Sequence, residues 1–176
     1  MNPTIKKNSF KIGLVLAVFQ MLITLYLYYK GSFIDTKFGM LIILLNLFFG
    51  AFAVYFNRKK IVLITLREAF SSFFITVLTS IILSSSFYYV FFKTVATENR
   101  KQQINIEIAD FQLKNMKLND FSDADIQKNM ELSKGISPFD GSVIFQSAFR
   151  YFILYAVIGI IIAFIFKNKS SFQESN

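Results

Sequence analysis

Gln20, Asn46, Thr76, Thr79 and Ser80 sit inside runs of Leu, Ile, Val and Phe, and they are the side chains best equipped to do chemistry in a non-polar setting. An amide or hydroxyl surrounded by hydrocarbon needs a hydrogen-bond partner, so each either grips a neighbouring helix or lines a path for a ligand. Interhelical bonds of this kind contribute roughly 0.6–2 kcal/mol and are common in helical bundles, which favours gripping. The ligand-path alternative makes the same side chains the wall of a polar conduit.

Other constellations carry less. Ser84, Ser85 and Ser86 supply hydroxyls, but no base stands near them to activate a nucleophile. The chain has no Cys and no His, which removes disulfides, thiolate metal sites, thiol nucleophiles and the side chain that most readily titrates near neutral pH. Asp120, Asp123 and Asp125 lack the central Gly and terminal Glu of a calcium loop and read as solvated acids at a helix start. Arg150 reads as an interfacial anchor. The expectation is a non-enzymatic protein with no catalytic residue, no cofactor and no metal.

The elements that position these residues follow from apolar content, which at 54% is too high for an ordinary water-soluble domain. Crossing about 30 Å of hydrocarbon takes roughly 20 apolar helical residues, because every backbone N–H and C=O must be satisfied within the segment. Ile12–Tyr29, Phe38–Phe56, about Phe70–Phe92 and Phe149–Phe166 meet that requirement. The predicted fold is all-α, a transmembrane four-helix bundle in a single domain spanning residues 1–176, with an outer loop over 93–148. The first span has no small-residue cleavage site and is expected to stay as an uncleaved anchor.

A formal net charge of +8 would suit nucleic acid if it formed one face, but the basic residues flank apolar runs instead. Lys6, Lys7 and Lys11 precede the first span, Arg58, Lys59, Lys60 and Arg67 follow the second, and Lys167 and Lys169 follow the fourth. Positive flanks stay cytoplasmic, so both termini are expected inside and residues 93–148 outside. Every tyrosine except Tyr55 lies at a span end that this topology places outside, where amphipathic rings favour the interface. Residues 61–69 are ambiguous between an interfacial segment and an extension of the third helix. The interfacial reading is preferred, with Glu68 near a helix N-terminus.

Small and polar residues recur at helical spacing on each span: Gly13, Ala17, Gln20 and Thr24; then Gly39, Ile43, Asn46, Gly50 and Ala53. The third carries Ser72, Thr76, Ser80 and Ser84, the fourth Ala156, Gly159 and Ala163. These stripes should turn inward, since lipid gives helices no hydrophobic reason to associate and close backbone approach must serve instead. The short hairpin between the first two spans brings Gln20 and Asn46 to similar depth, within reach of each other. In the outer loop, residues 97–118 read as a helix with Ile104, Ile108 and Phe111 on one face, although Ile104–Ile108 also alternates as a strand would. Ser122 with Asp125 starts a second helix, with Ile126 and Met130 facing inward, and Gly135 closes it.

The pattern resembles a bacterial family of four-span membrane proteins of unknown function. The similarity rests on the basic lead into a Gly-containing first span, Arg58-Lys59-Lys60 after the second, and Ile64-Thr65-Leu66-Arg67-Glu68-Ala69-Phe70 leading into a Ser/Thr-rich third. A long polar outer loop and a Gly-containing fourth span ending Phe166-Lys167-Asn168-Lys169 complete it. The resemblance implies a label and no site residues. The expected setting is a bacterial inner membrane, with the lipid bilayer, a membrane-protein partner or a second copy as contacts and no nucleic acid. A transporter or channel component for a neutral or lipid-like molecule is the alternative.

Overall fold

The computed structural model describes residues 2–61, 64–133 and 135–167, and among these it is all-helical. Asn168, Lys169 and the tail beyond them lie outside the described residues, as do Val62 and Leu63.

Four of the helices are long and apolar enough to cross a membrane: α1 (Pro3–Lys30), α2 (Thr36–Lys60), α3 (Leu66–Thr94) and α6 (Gly141–Phe166). Between α3 and α6 stand α4 (Glu98–Leu118) and α5 (Asp123–Ser133). Every spanning helix outruns its apolar stretch at one or both ends. Hydropathy marks the part that lipid solvates, whereas caps mark where the helix stops.

Asn2 accepts from the Thr4 N–H at 2.9 Å and Pro3 opens the first turn, so α1 begins nine residues before Ile12. Gly31 at φ 81° closes it in the left-handed conformation that a Cβ disfavours. Asp35 caps α2 by accepting from the Lys37 N–H at 3.0 Å. The fourth span begins at Gly141 rather than Phe149.

The interfacial reading of residues 61–69 is corrected. Thr65 and Glu68 form a reciprocal capping box, with the Thr65 N–H donating to Glu68 Oε2 at 3.1 Å and the Glu68 N–H to Thr65 Oγ1 at 3.3 Å. Residues 66–69 therefore extend the third helix, and Ile64 is fully buried in the bundle core instead of lying in lipid.

The core is apolar, with Phe73, Phe92, Leu16 and Val54 fully buried, but it also encloses polar side chains while large apolar ones face outward. Ser9, Asn57, Ser72, Thr76 and Ser80 are wholly enclosed, while Leu22, Phe48, Val157 and Ile165 are each more than half exposed. In water that distribution would carry a large apolar penalty; in lipid it is the expected one. α3 packs on α1, α2 and α6, and α2 also packs on α1 and α6. The α2–α3 contact is thus the short diagonal of a rhombus, with α1 and α6 at opposite corners.

Phe73 of α3 is, with Phe92, the largest wholly buried side chain, and its ring fills the space left by two glycines. A Cβ placed on Gly50 of α2 would lie 2.4 Å from the ring, and one on Gly159 of α6 would lie 2.7 Å from it. Gly13 of α1 performs the same service against α3, where a Cβ would come within 2.6 Å of the Thr76 carbonyl oxygen. Gly39 differs from expectation: it is exposed with open space around it, and Ile43 beside it is 39% exposed, so the inward stripe of α2 starts at Asn46.

Outside the spans, Ile104 of α4 is fully buried against Tyr28, Phe91 and Phe92. Phe139 stacks on Phe92 at 4.5 Å and closes that aromatic cluster. Ile108 joins it, but Phe111 stays exposed because α4 has by then left the bundle. Ser122 and Asp125 cap α5 as expected, and Gly135 takes φ 87° just beyond it.

Candidate functional site

Three polar layers cross the molecule, and each is built by different elements. The innermost centres on Asn57, three helical turns along α2 from Asn46 and on the same face. Its two amide hydrogens go to Ser9 Oγ at 3.1 Å and Ser72 Oγ at 2.8 Å, while its Oδ1 accepts from Asn8 Nδ2 at 2.9 Å. Ser9 and Ser72 lie 3.0 Å apart, and the Thr76 hydroxyl reaches the Ser9 carbonyl at 3.1 Å and that of Ser72 at 2.9 Å. One amide thereby ties α1, α2 and α3 together.

The middle layer holds the expected pair. Gln20 Nε2 donates to Asn46 Oδ1 at 3.2 Å, and the Ser80 hydroxyl lies 3.2 Å from the same oxygen and 2.8 Å from the Val77 carbonyl. Asn46 Nδ2 donates to its own helix at the Ile42 carbonyl, 2.8 Å away. Tyr155 brings α6 to the same amide. Thr76 belongs to the inner layer rather than this one, and Thr79 is half-buried with its methyl pressed against Gly13. The five candidates therefore do not line one surface: Gln20, Asn46 and Ser80 meet, Thr76 lies a turn away, and Thr79 packs.

The outer layer is ionic. Arg100 of α4 donates from Nη1 to Glu107 at 3.0 Å and from Nε to the Tyr28 carbonyl at 3.3 Å. Glu107 Oε2 accepts the Phe33 N–H at 2.6 Å and the Ile34 N–H at 3.1 Å. Those two donors belong to the turn between α1 and α2, which has no helix to satisfy them. Thr97, the α4 N-cap, donates its own N–H to the Tyr28 hydroxyl at 3.2 Å. Replacing Glu107 by Ala should release α4 from the hairpin, with about 1.5–3 kcal/mol lost for charge-assisted bonds. Hydrogen exchange at Phe33 and Ile34 rising together with protease cleavage near Thr97 would register it.

A family model matches residues 11–168, described as protein of unknown function (DUF4199). The chain belongs to the DUF4199 family. No curated protein and no solved structure matches it. The DUF4199 match takes in α2 to α6 and most of α1, and it includes the middle and outer layers whole; Asn8 and Ser9 of the inner layer precede it.

Periodicity in the DUF4199 chain missed Ser9 and Asn57 because both sit among charges where apolar runs end, Ser9 two residues before Lys11 and Asn57 just before Arg58. A signal was present nonetheless: Ser9 continues the Gly13–Ala17–Gln20 stripe back by one turn. The hold of Arg100 and Glu107 on the hairpin had no local signal, since Tyr28, Phe33 and Ile34 lie some seventy positions away in the chain. Among the described residues, Arg100 Nη2 is the buried side-chain nitrogen or oxygen left without a hydrogen-bond partner. In the inner and middle layers the buried amides and hydroxyls of Asn57, Ser9, Ser72, Thr76, Gln20, Asn46 and Ser80 each make at least one hydrogen bond within the bundle. These layers hold amides, hydroxyls and a phenol, and their bonds run between α1, α2 and α3.

Proposed function

We propose that this chain is a non-enzymatic protein of the bacterial cytoplasmic membrane, with both termini inside, whose α4–α5 arm engages a membrane-protein partner or a second copy. The observation that carries this reading is the arm itself. Leu118 is 70% exposed and Leu132 66%, with Phe121 and Ile136 also exposed, on the segment between α3 and α6. Isolated apolar residues are ordinary on a surface, but Leu118 on α4 and Leu132 on α5, with Phe121 and Ile136 in the segments flanking α5, provide the anchors that protein partners use. The Arg100–Glu107 fastening holds the root of the arm in place, which limits the entropy lost on binding.

A photo-crosslinking residue placed at Leu118, Phe121 or Leu132 in intact membranes tests it. Discrete protein adducts from these positions, and none from lipid-facing Ile160, are expected. Adducts to lipid alone at every position would remove the basis for the reading.

Pairing in the middle layer supports grip over a conduit, because Gln20, Asn46 and Ser80 are buried and turn toward one another across three helices. Changing both Gln20 and Asn46 to Leu is expected to lower bundle stability by about 1–2 kcal/mol. Loss of a measurable flux with stability unchanged would favour the transporter alternative instead.

A further inference from the structure

One end of the bundle is basic on every spanning helix. Lys6, Lys7 and Lys11 stand exposed on α1, Arg58, Lys59 and Lys60 on the last turn of α2, Arg67 on the first turn of α3, and Lys167 just after α6. Among the described residues, the carboxylate at this end is Glu68, and the Thr65 cap engages it. The ion pairs found among the described residues, Lys30–Asp35, Arg100–Glu107 and Lys101–Glu98, all lie at the opposite end. A concentration of exposed, unneutralised cations is self-repelling and favours an external source of negative charge.

Ammonium groups fold back over rings at both ends, Lys30 Nζ lying 5.9 Å from the Tyr26 ring centre and Lys93 Nζ 5.4 Å from that of Tyr89, so this geometry sets the depth of the cations and their number sets the basic end apart. Lys59 Nζ lies 4.8 Å from the Tyr55 ring centre, Lys60 Nζ 4.4 Å from that of Phe56, and Lys167 Nζ 4.7 Å from that of Phe164. Each ring is one turn nearer the middle of its helix. The ammonium groups are therefore drawn back over the rim of the apolar belt, at the depth where head groups begin, rather than extended into water. Cations on all four corners of the rhombus surround the bundle, whereas a protein partner would need them on one side.

We propose that this end binds the phosphate head groups of anionic phospholipids as a ring of lipid around the bundle. A mobile anionic lipid can meet each cation separately, so the wide spacing between the four helices costs nothing in fit. Each Lys or Arg near an anionic membrane surface contributes favourably, and the sum is sensitive to salt.

The test uses the full chain reconstituted in phosphatidylcholine vesicles with spin-labelled phosphatidylglycerol or spin-labelled phosphatidylcholine as probe. The motionally restricted fraction should show a preference of about fivefold or more for the anionic lipid, reduced by high salt. Replacing Arg58, Lys59 and Lys60 together by Gln should reduce that preference, while replacing Lys30 and Lys93 at the other end should leave it unchanged. Thermal unfolding of each variant establishes that it is folded. Equal restriction of the two probes, a preference indifferent to the triple substitution, or capture of soluble polyglutamate in place of the anionic lipid would each overturn the proposal. None of these outcomes depends on what the α4–α5 arm engages.

Discussion

Replacing Phe73 by Ala is expected to destabilise the bundle by about 3 kcal/mol, the lower end of the cost of removing a buried Phe. The lower end applies because lipid supplies part of the apolar environment that water withholds, leaving the cavity and the lost dispersion contacts as the main terms. Phe73 touches the core from the centre of the rhombus, with Gly50 on one side and Gly159 on the other. Its loss would open a void at the meeting point of α2, α3 and α6, where the facing glycines have no side chains to collapse into it. A reversible denaturation midpoint in mixed micelles measures the effect. Phe48, which is 65% exposed on the outside of α2, supplies the contrast: its change to Ala should shift the midpoint by a small fraction of that amount.

The second large effect is expected at Gly13. Any Cβ there would sit 2.6 Å from the Thr76 carbonyl oxygen and 2.8 Å from the Thr79 Cβ, and a backbone carbonyl within a helix cannot turn aside. Gly13→Val must push α1 away from α3, at about 1–3 kcal/mol for overpacking. The displacement would also stretch the inner layer, because Ser9 lies one turn away and contacts both Ser72 and Thr76. Gly39→Val, at a site with open space, should change the same midpoint by no more than about 0.5 kcal/mol. Equal losses at the two glycines would mean that helix propensity, and not close approach, governs this bundle.

These two sites show what was legible and what was not. The number of spanning helices, the order of the outer pair and the meeting of Gln20 with Asn46 all follow from local properties: apolar run length, capping residues and a hairpin too short to misplace its arms. Gly13, Gly50 and Gly159 were likewise legible as small residues at helical spacing, because close packing in lipid needs them. The partner that fills the gap was not, since nothing in the residues around Phe73 distinguishes it from Phe74. Gly39 shared the spacing of the α2 stripe yet faces open space, while its neighbour Phe38 carries the contact of that end of α2 with Tyr26 of α1. Spacing establishes which residues share a face, and only packing establishes where the face stops.

Ends and long-range pairs were harder still. Hydropathy placed the start of the fourth span at Phe149, eight residues inside the helix, because Gly141 to Ala148 mix polar and apolar residues while remaining helical. The segment before α3 looked interfacial by composition, but the Thr65–Glu68 box starts the helix there and Ile64 turns into the core. Arg100 and Glu107 illustrate the limit of local reading, since both look like ordinary solvated charges on a polar helix. Their role appears only once the α1–α2 turn presents two backbone N–H groups with nowhere else to bond.

All of this depends on four helices crossing a bilayer so that the α4–α5 arm and the basic helix ends stand on opposite sides. The chain contains no cysteine, so a single one can be introduced without background. Labelling Lys7→Cys, Arg58→Cys, Lys114→Cys and Ser122→Cys in sealed membrane vesicles with a membrane-impermeant maleimide tests the arrangement directly. The account predicts that Lys114→Cys and Ser122→Cys react from one face only, and Lys7→Cys and Arg58→Cys only after the vesicles are opened or inverted. Reaction of all four from the same face of sealed vesicles would contradict it.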